Sequence, residues 1–196
     1  IVEIYQGARV SYEGVGAPQP TVGLLPKTSL NSLGRVQNSP PGPIDNFGQY
    51  ANGTYQTALS QGHNLGVFAS SDHISQHASY GGVFCKDFTR EGIIEAMDNR
   101  RTIAATDKIY LNFTCNDKPL GSIFETTENA KLWFKVDGTA AFRRITIVRN
   151  EKDWKNFGIF TGNTFEKTVS DEDMLDGENR YYVRVVQSDG NMAWSS

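Results

Sequence analysis

From residue 109 onward the chain breaks into short segments rich in β-branched and aromatic residues, 109–114, 132–136, 143–149, 158–164 and 181–187. Asp137-Gly138, Asp176-Gly177 and Asp189-Gly190 punctuate them. Asp-Gly pairs accept the positive φ that tight turns between antiparallel strands need. Around Trp133 and Lys135, and again around Phe142, Ile145 and Ile147, in/out alternation points to sheets with one packed and one wet face. Residues 108–196 are therefore expected to form a small antiparallel β-sandwich.

The first half carries a different signal. The opening Ile1-Val2-Glu3-Ile4-Tyr5 has strand composition without a leading methionine or turn, so the chain reads as a piece of a longer one. Residues 17–43 hold six of the seven prolines and show little periodicity, the mark of a long irregular loop. Helices are expected at 49–61, closed by Gly62, and at 89–99, where Thr89 caps the first turn and Ile93, Ile94 and Met97 form an apolar stripe. A strand at 65–70 lies between them. Strand, loop, helix, strand, helix is the alternation of a parallel α/β sheet or barrel, with residues 1–107 as one unit. Two strands cannot close a barrel, so this half either packs on the second or belongs to a larger barrel.

Charge and cysteine content narrow the function classes. Nineteen basic and twenty-two acidic residues, without long single-sign runs, leave no electrostatic footprint for nucleic acid. No apolar run approaches the roughly twenty residues that span a bilayer, so no membrane partner is expected. Cys85 and Cys115 are far apart and form no CxxC, and separate thiols are expected. The patterns Asn52-Gly53-Thr54 and Asn112-Phe113-Thr114 arise often by chance and do not settle the compartment.

The three histidines, His63, His73 and His77, fall within fifteen positions, and His73 follows Asp72 directly after the apolar strand 65–70. α/β barrels present metal ligands and general bases at strand C-termini in this way. A lone strand-end histidine is more often a hydrogen-bonded structural residue; the adjacent carboxylate and neighbouring imidazoles shift the balance towards a metal site. Arg101, beyond the second helix, could hold a substrate phosphate, although a basic residue there also complements the helix dipole. The acidic run Asp171-Glu172-Asp173 and Asp176-Gly177-Glu178 does not have calcium-loop spacing and reads as a solvated turn.

The segments Val2 to Gly7, Gly66 to His77, Thr89 to Ile93 and Arg100 to Asp107, followed by Trp133-Phe134-Lys135 and the stretch Asp176 to Tyr181, resemble the C-terminal part of a PHP-like (polymerase and histidinol phosphatase) family. The resemblance implies the C-terminal units of a distorted α/β barrel with a multinuclear metal site that hydrolyses phosphate esters. Asp72, His73 and His77 would then bind zinc or manganese, completed by upstream residues outside this chain, with Arg101 on the phosphate-ester substrate. Here Asp72 and His73 are adjacent, whereas the family motif separates its ligands by one residue; on a regular strand adjacent side chains face opposite ways. Glu3 is as readily a charge-paired residue as a ligand. On this reading the isolated chain would be inactive and the full-length protein a phosphoesterase. The rival reading is a non-catalytic interaction or carbohydrate-binding β module that uses Trp154 or Trp194 on an α/β scaffold. Substrate, oligomeric state and compartment are not legible.

Overall fold

The computed structural model describes residues 1–6, 11–20, 51–71, 79–158 and 160–196. Among them, six strands form one antiparallel sheet in the order β3 (Tyr80–Val83), β4 (Thr102–Ala105), β12 (Met192–Ser195), β11 (Tyr181–Gln187), β8 (Phe142–Arg149), β9 (Lys152–Phe157). Four more form a second in the order β10 (Thr164–Asp171), β7 (Ala130–Asp137), β5 (Tyr110–Cys115), β6 (Lys118–Pro119). A parallel pair, β1 (Val2–Gln6) and β2 (Val67–Ser70), and the short helix α1 (Tyr55–Ser60) make up a third layer, and helix α2 (Arg90–Asp98) joins β3 to β4.

Strand alternation explains the main core. Along β7 Ala130, Leu132, Phe134 and Val136 point inward and are buried, and Lys131, Trp133 and Lys135 point outward. Ile145 and Ile147 of β8 and Val183 and Val185 of β11 meet that face from the six-stranded sheet in one cluster. Each such large side chain contributes on the order of 1.5–3 kcal/mol on burial. The turns follow local chemistry. Asn150-Glu151 (φ 47° and 63°) joins β8 to β9 and Asn116-Asp117 (φ 48° and 61°) joins β5 to β6, both with the two positive φ values of a type I′ hairpin. Gly190 (φ 89°) serves the β11–β12 hairpin. Asp137-Gly138 and Asp176-Gly177 do not close hairpins; they lie where the chain crosses from one sheet to the other.

The other face of the six-stranded sheet is also covered. Ala104, Val148, Tyr182, Met192 and Trp194 pack there against Ile4, Tyr5, Val67 and Ala69 of the parallel pair and against Tyr55 and Leu59 of α1. This three-layer arrangement corrects the expected class of a partial PHP-type α/β barrel followed by a sandwich. Among the described residues the protein is mostly antiparallel β-structure with two short α-helices. β1 and β2 are parallel neighbours as expected, Val2 opposite Val67 and Gln6 opposite Ser70, but among the described residues no other strands pair in parallel. β3 and β4 flank a helix yet run antiparallel, Tyr80 opposite Ala105 and Val83 opposite Thr102, which no βα barrel unit does. They join strands from beyond position 107 in one sheet, because β4 pairs with β12.

Local readings shift in instructive ways. Thr89 caps α2 by accepting the Gly92 N–H at 3.0 Å. The helix buries Ala96, with Ile93 and Met97 half-buried, and leaves Ile94 52% exposed, so the contact face is rotated from the expected stripe. The helix expected at 49–61 shortens to Tyr55–Ser60, capped by Thr54, with Gly62 (φ 85°) just past its end. The strand expected at 158–164 is replaced by a connection between β9 and β10.

Candidate functional site

Asp72, His73 and His77 lie outside the described residues. Ser70, which ends β2, donates its hydroxyl to the Glu3 carboxylate across the parallel pair, so Glu3 is a partner of Ser70 there. His63 is exposed just past α1. Among the described residues, no three His, Cys, Asp or Glu side chains gather closely enough to hold a metal. Arg101 Nη1 lies 3.5 Å from Glu95 Oε1 of α2, so its guanidinium is engaged with the helix it follows. Cys85 and Cys115 are free, and burial pushes the Cys115 thiol up to about 11, which leaves it a poor nucleophile.

The two tryptophans singled out from sequence are engaged inside the protein. Trp194 is fully buried, stacks on Tyr5 and donates Nε1–H to Glu13 Oε2 at 2.8 Å. Glu13, with a side chain 0% exposed, also accepts from the Tyr182 hydroxyl and from Arg184 Nη1, both at 2.6 Å. Arg184 Nη2 in turn reaches both oxygens of Asp153, at 2.7 and 2.8 Å. Burial disfavours the Arg184 charge, but the Glu13 and Asp153 carboxylates outweigh it and raise its pKa. Burial and then Glu13 push the Tyr182 hydroxyl well above its usual range. This network clasps residues 11–14 to the six-stranded sheet, with Glu13, Tyr182, Arg184 and Trp194 buried and Asp153, 40% exposed, at its solvent edge. Trp154 is half-buried on β9, with Arg149 and Lys155 against its ring at 5.2 and 4.6 Å and Tyr181 edge-on at 6.2 Å.

A different tryptophan occupies the outer face of the four-stranded sheet. Strand register sets Thr114, Trp133 and Thr168 side by side across β5, β7 and β10, and Asn112, Lys135 and Glu166 in the next row. Rows of this kind are about 4.8 Å apart between strands and roughly 6.8 Å apart along them. Trp133 donates its indole N–H to Glu166 Oε1 at 2.9 Å, which fixes the ring diagonally across the two rows. The hydroxyls of Thr114 and Thr168 on either side make no hydrogen bond within the protein among the described residues. Lys135 sits 3.7 Å from Asp137, an ion pair along β7 within the face. The face thus offers one rigid aromatic plane, two free hydroxyls, an amide and a carboxylate within two strand spacings. Sequence reasoning read Trp133 as part of a strand's alternation and not as a binding residue, yet the signal was there. Ala130, Leu132, Phe134 and Val136 form an unbroken buried alternation, which forces the residue between Leu132 and Phe134 outward.

Comparison with known proteins finds uncharacterised chlamydial relatives, among them one of Chlamydia trachomatis serovar D, 31% identical over 216 aligned residues, and one of Chlamydia muridarum, 29% identical over 216. Both alignments take in all of this chain but 33% of the relative, so the chain spans about a third of their length. A Chlamydia pneumoniae protein is 28% identical over 146 residues, covering 66% of this chain and 24% of that protein. No family model matches the chain. No solved structure matches it either.

Proposed function

We propose that this chain is a non-catalytic binding module that presents the outer face of its four-stranded sheet to a neutral carbohydrate chain. The observation that carries the proposal is the row Thr114, Trp133, Thr168, which sets a pinned indole between two hydroxyls unengaged among the described residues, on the outer face of the sheet. Sugars present alternating apolar C–H faces and hydroxyl edges, so they are matched by an amphipathic aromatic plane beside polar groups held on rigid strands. Lys131 and Lys135 on this face are balanced by Asp137 and Glu166, which leaves no net formal charge to favour an acidic or basic ligand. The hydrolase expectation relied on a barrel face to gather ligands from many parallel strands, and β2 instead belongs to a two-stranded pair laid on the sandwich.

The test is calorimetric titration of the chain with a panel of neutral and acidic oligosaccharides. Neutral oligosaccharides are expected to bind. Trp133→Ala should weaken that binding by roughly 30-fold or more, the equivalent of about 2 kcal/mol for a central aromatic anchor. It should leave folding intact, because Trp133 is on the outer face. Binding that survives Trp133→Ala unchanged, or an absence of binding across the panel at millimolar concentration, would refute the proposal.

A further inference from the structure

A second surface, independent of the Trp133 face, has the character of a polypeptide site. Between the segment that follows β6 and the connection that precedes β11 the structure holds an open groove of about 1230 Å³, beyond the roughly 300–1,000 Å³ common for small-molecule pockets. Its floor is apolar. Leu120 is buried in the sandwich core, and Phe124 and Met174 are half-buried beside it. Ile123 on one wall is 65% exposed, a large apolar side chain facing solvent in the groove lining.

The wall that carries Ile123 is held rigidly at its base. Gly121 has φ 79°, and a Cβ there would come within 2.4 Å of the carbonyl oxygens of Asn99 and Arg100. The Arg100 Nε donates to the Gly121 carbonyl at 3.1 Å, which ties the segment to the end of α2. Beyond this anchor, no backbone–backbone hydrogen bond among the described residues involves positions 123–127, so five consecutive residues of the groove lining keep main-chain groups without a backbone partner. An extended peptide is the ligand that pairs with such a row. Charge supplies the rest. Glu125 and Glu128 line the groove, and neither forms an ion pair among the described residues. Arg180, also in the lining, is shared between Glu151 and Glu178, and Arg100 is turned to backbone carbonyls.

We propose that this groove binds an extended basic segment of a partner protein, with an apolar side chain between Ile123 and Met174 and flanking lysines or arginines against Glu125 and Glu128. Selection of a random dodecapeptide display library on the wild-type chain tests it, followed by fluorescence anisotropy of the enriched peptides. The enriched sequences should be net positive with at least one large apolar residue, and their binding should weaken with salt. Ile123→Asp, and separately the pair Glu125→Lys and Glu128→Lys, should each reduce affinity at least tenfold. These positions are exposed, and thermal unfolding of each variant should match the wild type. Trp133→Ala should have no effect, which separates this proposal from the carbohydrate face. No enrichment, enrichment of neutral or acidic peptides, or peptides whose affinity is unchanged in both variants would overturn it.

Discussion

Replacing Glu13 by glutamine probes a fully buried charge that holds three donors at once. Its carboxylate accepts from Tyr182, Arg184 and Trp194 at 2.6, 2.6 and 2.8 Å, with the Glu13 and Arg184 side chains 0% and 1% exposed. The amide introduced by Glu13→Gln would turn an NH₂ towards donors and leave the Arg184 guanidinium with Asp153 as its one counter-charge. Removing one member of a buried pair costs about 3–5 kcal/mol, because the other stays desolvated and uncompensated. With a urea slope of about 2–3 kcal/mol per M, the unfolding midpoint should fall by roughly 1–2 M. Removing both charges, by Glu13→Gln with Arg184→Met, should restore part of that loss, and a double-mutant cycle should show coupling of at least about 2 kcal/mol. Urea denaturation followed by far-UV circular dichroism provides the readings. A Glu13→Gln loss below about 1 kcal/mol, or strict additivity with Arg184→Met, would refute the view that this pair holds the N-terminal layer to the sheet.

Three further outcomes follow from single positions. The Tyr5 hydroxyl is buried without a partner, so Tyr5→Phe should be neutral or stabilising by about 1 kcal/mol in thermal denaturation, and a loss of that size would count against the assignment. Burial raises the Tyr5 pKa to about 12, above its ordinary 10.0; its contribution is whole below pH 10 and lost as pH rises towards 12, so Tyr5→Phe should blunt alkaline unfolding in that window. For Asp189, burial raises the carboxyl pKa, but donors from Asn191 and Gln187 outweigh it and bring the net value below the ordinary 3.8; stability from it is present above that value and lost as pH falls through its folded pKa, so the deficit of Asp189→Asn at neutral pH should shrink in acid titration. Gly121→Ala should cost at least about 2 kcal/mol in chemical denaturation, since it adds a Cβ at positive φ against two carbonyl oxygens.

Much of the second half was legible because its signals are local. The strand expected at 181–187 is β11 (Tyr181–Gln187), those expected at 132–136 and 143–149 extend by a residue or two into β7 and β8, and Thr89 caps α2 as its side-chain chemistry requires. What escaped was short or carried an ambiguous signal. β3 contains Gly81-Gly82, which reads as a turn, and β4 is four residues buried throughout, with no alternation to mark it. Trp194 has strand neighbours on both sides, but its burial depends on the layer from β1 and α1, over 130 residues away in the chain.

Alternation in the sequence determined which residues of the second half face a core, and turn chemistry marked the hairpin at Asp189-Gly190, because those preferences act between neighbours along the chain. Which strands pair, and therefore that the chain is an antiparallel sandwich with a parallel pair laid on it rather than part of a barrel, was decided only in three dimensions. The register of β4 against β12 and the clasp of Glu13 on Arg184 join residues about 90 and 171 positions apart. No local preference encodes such contacts. Their free energy comes from closing water out between surfaces that exist only once the sheets have met.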